Sequence, residues 1–76
     1  MNNSRRKLLS ELKKVIDDLI EDITVVQTDE EDYRDNIPEN LQNSEKYATS
    51  EAAISEMQFA IDYLQDAGMN LDSACE

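Results

Sequence analysis

Carboxylates are the groups in this chain best placed to do chemistry. Of its 76 residues 18 are Asp or Glu, 7 are Lys or Arg, none is His, and Cys75 is the only thiol. The densest acidic run is DEEDYRDNIPEN, Asp29 to Asn40. A calcium loop of the EF-hand type needs oxygen ligands at alternating positions, glycine at the sixth and a bidentate glutamate at the twelfth. Here the fifth, sixth and twelfth positions are Tyr33, Arg34 and Asn40. The residues that would shape such a loop are missing. Paired acids such as Asp17 with Asp18, or Glu21 with Asp22, would need a pocket that separates their pKa values to act as acid and base. On an exposed helix they form a solvated face. Di-metal carboxylate bundles use Glu-x-x-His on facing helices, which a chain without histidine cannot supply. The expectation is a non-enzyme with no catalytic residue, no metal site and no cofactor. Cys75 is either an incidental thiol or half of a disulfide between two subunits.

Charge is unevenly spread. Residues 1–14 hold five basic and one acidic side chain, and residues 15–76 hold two basic and seventeen acidic, within a net charge of −11. An acidic body repels phosphates, so direct nucleic-acid binding is not expected. It suits solubility or a basic partner surface. Arg5, Arg6 and Lys7 are followed by alternating apolar and charged residues, with no apolar core of a signal peptide. No apolar run is long enough to span a bilayer. A soluble, cytoplasmic protein with no membrane contact is expected, in a reducing compartment given the single cysteine.

The elements behind this chemistry are two helical segments. In the first, about residues 4–33, Leu8, Leu9, Leu12, Val15, Ile16, Leu19, Ile20, Ile23 and Val26 recur at spacings that share one helical face. At 100° per residue that face is about 140° wide, more than a two-helix seam requires. Ser4 is the expected N-cap, and the pattern weakens beyond Val26. In the second, about residues 50–74, Ala53, Ala60, Ala67 and Ala74 recur every seven residues, as do Met57, Leu64 and Leu71, beside a row of Ile54, Ile61 and Gly68. Thr49 or Ser50 should cap it, and the helix should pass through Gly68, because Leu71 and Ala74 keep the phase. Folding the segments back on each other sets the basic start of the first beside Asp66, Asp72 and Glu76 of the second.

The junction, residues 34–49, holds the only proline. Proline is tolerated in a first helical turn and not in an interior. Asn36 can cap, so PENLQN reads as a short Pro-initiated helical turn. Ile37 and Leu41, with Tyr33 and Tyr47, would then close the end of the core. The other reading is a recognition loop presenting Asn36, Glu39, Asn40, Gln42 and Asn43.

The junction residues Asp35, Asn36, Ile37, Pro38, Glu39, Leu41, Gln42, Ser44 and Glu45, followed by Ala60, Ile61, Asp62 and Leu64, carry a resemblance. The chain resembles, over roughly Leu8 to Ala67, an uncharacterised family of short acidic proteins from gut bacteria and their phages. The resemblance implies a helical hairpin and a mobile-element context, and no activity. The last eight residues depart from that family's repetitive acidic helix.

The expected fold is one all-α domain over residues 1–76: an antiparallel helical hairpin pairing into a four-helix bundle as a homodimer. Its core would take Leu9, Leu12, Ile16, Leu19, Ile23, Ala53, Met57, Ala60, Ile61 and Leu64. The interface, with itself or with an unidentified protein partner, would draw on Leu9, Leu12, Ile16, Ile20, Ile23, Ile54, Met57 and Ile61. Two functions fit. One is a non-catalytic interaction or adaptor module acting through helix packing. The alternative is an acidic mimic of nucleic acid that blocks a host nucleic-acid-binding or defence protein. Its recognition surface would be Asp17, Asp18, Glu21, Asp22, Asp29, Glu30 and Asp35.

Overall fold

The computed structural model describes residues 1–76 as an antiparallel helical hairpin of 59 × 15 × 12 Å. Helix α1 runs Asn3–Asp35, a 3-10 turn covers Glu39–Leu41, and helix α2 runs Glu45–Ala74. There are no strands and no cis peptide bonds.

Both helices are longer than the sequence pattern suggests. The cap of α1 is Asn2, not Ser4: its Oδ1 accepts from the Arg5 amide at 2.8 Å. Asn and Ser cap about equally well, and the earlier start gains the Arg6 amide to Asn2 carbonyl bond at 3.1 Å. At the other end α1 continues through the polar stretch after Val26 as far as Asp35. There Asn36 closes it, with its side-chain amide donating to the Asp32 carbonyl at 2.8 Å. Asn36 therefore ends one helix and does not start the next. Pro38 precedes the 3-10 turn instead of entering it. Helix α2 begins at Glu45, five residues before the expected start at residue 50. Its N-cap is Ser44, whose Oγ accepts from the Tyr47 amide at 3.4 Å, and Glu45 in the first turn suits the helix dipole.

The helices meet along a seam with alternating steps of three and four residues. In α1 the inward positions are Arg6, Leu9, Lys13, Ile16, Ile20, Ile23, Gln27, Glu30 and Arg34; in α2 they are Tyr47, Ser50, Ile54, Met57, Ile61, Leu64, Gly68, Leu71 and Cys75. That spacing is the heptad of coiled coils, with the seam at positions a and d. Register is fixed by pairs along its length. The Cys75 thiol reaches the Arg6 carbonyl at 3.8 Å, Lys13 lies over Gly68, and the Gln27 amide donates to the Ile54 carbonyl at 3.3 Å. Each of these pairs of residue numbers sums to the same value, so no slip occurs between them.

The seam is thin. Ile61 is the only apolar residue fully buried. The expected passage of the helix through Gly68 is observed. A β-carbon there would touch the Lys13 stem at 3.6 Å, an ordinary contact. Glycine at this layer lets the lysine lie across it and carry its charge to the edge, where Nζ sits 3.0 Å from Asp72. The basic start of α1 thus does meet the acidic end of α2, through Asp72.

Candidate docking surface

The two long edges of the hairpin have opposite character. Antiparallel heptads bring the two e rows together on one edge and the two g rows on the other. The e edge is polar and closed by contacts. Lys13 pairs with Asp72, Gln27 donates to the Gln58 side-chain carbonyl at 3.0 Å, and Arg34 pairs with Glu51 at 3.1 Å. In each case a polar seam residue of α1 turns to an e position of α2. Gln58 passes the chain on, donating to Asp62 at 2.9 Å. The hydrogen bond and charge of Asp72 raise the Lys13 pKa above its ordinary 10.5, and Asp17 adds to the effect. Arg34 is held more firmly protonated chiefly by its bond to Asp35.

The g edge is apolar and open. On α1 it carries Leu12, Leu19 and Val26, flanked by Leu8 and Val15. Leu12 and Leu19 are each 45 % exposed and Val26 57 %. On α2 it carries Ala53, Ala60 and Ala67, all half-buried against the seam. Between the rows lies a shallow groove of about 390 Å³, lined by Ile23, Val26, Met57 and Ala60, with Asp22 and Glu56 at its rim. A large-residue row beside a small-residue row makes a stepped surface into which another helix can pack.

This geometry redistributes the residues expected at an interface. Leu9, Ile16, Ile20, Ile23, Ile54, Met57 and Ile61 all lie in the seam and hold the hairpin together. Of that group only Leu12 stands on the open edge. Polar substitution of Ile20 or Ile54 would break the hairpin rather than probe a partner surface. Leu19 and Val26 are the complementary positions outside that group, and their signal is present in sequence: Leu12, Leu19 and Val26 recur every seven residues.

Six of the seven acidic candidates share the outward side of α1. These are Asp17, Asp18, Glu21, Asp22, Asp29 and Asp35, while Glu30 is half-buried at the seam. No three carboxylates or thiols converge as metal ligands. The Asp29–Asp35 part of the acidic run is helical, so its side chains radiate instead of curling around an ion. No helix is long and apolar enough to cross a membrane.

At the closed end, Ile37 and Tyr47 are half-buried, while Leu41 and Tyr33 remain exposed. The cap over the core is therefore partial. A second groove, of about 450 Å³, lies here among Glu30, Tyr33, Glu45, Lys46, Thr49 and Ser50. Ser50 is 2 % exposed, and its buried hydroxyl has no hydrogen-bond partner. The polar loop residues Asn36, Glu39, Asn40, Gln42 and Asn43 are all exposed.

Compared with known proteins, the chain matches no family model, no curated protein and no solved structure.

Proposed function

We propose that this chain is a non-catalytic interaction module that works by helix packing and docks through its g edge. The observation that carries the reading is the segregation of the two edges. Every ion pair and side-chain amide pair between the helices lies on the e edge. The g edge keeps Leu12, Leu19 and Val26 exposed beside an alanine row. Contiguous apolar surface on a small protein marks an interaction site, and a helix laid into such a stepped groove is a recurrent recognition mode.

The test compares the wild-type chain with a Leu12→Glu/Val26→Glu variant in affinity capture from lysate, at low and at high salt. Both substituted residues are exposed, so the variant should keep its helical circular dichroism. The expected result is a partner that survives high salt and is lost in the variant. Capture that survives in the variant and disappears with salt would sink this reading. It would favour instead an electrostatic contact through the acidic outer surface.

A further inference from the structure

We infer that a second copy of this chain covers the g edge, packed head to tail on a two-fold axis that passes close to Leu19 and Ala60. The inference rests on the g edge being the docking surface, and adds what occupies it and in which direction.

Surface area is the first argument. The hairpin exposes 5737 Å². A compact monomer of 8.7 kDa exposes about 4,700 Å², so the chain carries a surplus on the order of 1,000 Å². A stable protein interface removes about 800 Å² from each partner. Burying the g edge against a copy of itself is of the right size, and it joins two thin seams into one four-helix core.

Charge decides the direction. The open end of the hairpin, residues 1–14 with 66–76, carries five basic and four acidic side chains, a net of +1. The closed end, residues 29–51, carries two basic and eight acidic, a net of −6. Two hairpins stacked with closed ends together would set −6 upon −6. Stacked head to tail, each closed end meets the basic end of its partner. The stretch Arg5 to Lys7 then stands at the height of Glu31 to Tyr33 of the second copy, within its acidic end.

The rows match under this operation. A two-fold near Leu19 carries Leu12 onto the height of Val26, and one near Ala60 carries Ala53 onto Ala67. Each large row meets a large row, and each alanine row an alanine row, where small side chains allow close approach of the α2 backbones. The inward placement of Cys75 against the Arg6 carbonyl leaves it in the seam, away from this surface.

Sedimentation equilibrium on the full chain should return twice 8.7 kDa. Leu19→Glu, which places two carboxylates at the axis, should weaken association roughly a hundredfold or more while helicity is kept. Direction is read in a Cys75→Ser background with a short thiol cross-linker. Leu19→Cys alone should cross-link into a dimer, as should Leu12→Cys mixed with Val26→Cys. Cross-linking only between Leu19→Cys and Ala60→Cys chains would mean the opposite stacking and overturn the inference. A wild-type mass of 8.7 kDa at every concentration would overturn it too. It would leave the interaction reading standing wherever lysate capture still depends on Leu12 and Val26. A dimer indifferent to Leu19→Glu would overturn this inference as well, and the docking reading would then stand or fall on the lysate capture.

Discussion

At the scale of single residues, the seam is built around polar side chains that sequence patterning does not assign to a core. Arg6, Lys13, Gln27 and Arg34 occupy four of the five a positions of α1. The core read from sequence therefore mixed Leu9, Ile16 and Ile23 of the seam with Leu12 and Leu19 of the open edge. Two stripes, one inward and one outward, merged into one wide face. Only the depth of each side chain separates them, and depth depends on the partner helix. Gly68 is explained by its neighbour. The Lys13 stem lies over it, yet the nearest contact of an added β-carbon is 3.6 Å. Gly68→Ala should therefore stabilise the hairpin by about 1 kcal/mol through helix propensity, seen as a higher Tm in thermal melts. Lys13 also carries a pH signature. Its folded pKa is raised above 10.5 by Asp72. The contribution of the pair is complete below pH 10.5 and is lost as pH rises through the folded value. Denaturant titrations of wild type and Lys13→Met should differ below that pH and converge above it. A gap that stayed constant to the highest pH would exclude the linkage.

Elements were more legible than their ends. Two helices followed from the apolar spacing of each segment, their antiparallel order from folding one back on the other, and the continuity through Gly68 from the heptad rows of α2. The start of α2 at Glu45 was missed because the apolar repeat was counted from Ala53. Tyr47 stands seven residues before Ile54 and belongs to the same row, while Ser44–Glu45 is a cap followed by a favourable first-turn acid. The end of α1 lies within two residues of the expected 33; the largely polar Asp29–Asp35 stays helical by continuing a helix already nucleated. Within the seam, Gln27 is 7 % exposed and bonded to both Ile54 and Gln58. A buried amide at an a position costs stability and fixes register. Gln27→Leu should raise stability by about 1 kcal/mol. It should also admit alternative registers, visible as doubled amide signals for Ile54 to Asp62 in an NMR spectrum. A single set of signals would show that the other layers hold register unaided.

For the whole molecule, the open g edge was present in sequence as a surplus of apolar width, though its residues were not separable from the seam. Its location followed only once both helices were in register. The same register has a mechanical consequence. Residues 1 and 76 leave from one end of a rod 59 Å long, and every layer pairs residues at the same height. Tension applied between the termini would load one layer at a time, in peel and never in shear. The Arg6–Cys75 layer would part first, then Leu9 with Leu71, and so on toward the closed end. In an optical trap the monomer should open gradually at low force, without a sharp rupture peak. A head-to-tail dimer would change this, since each opening end would be clamped by the rigid closed end of its partner.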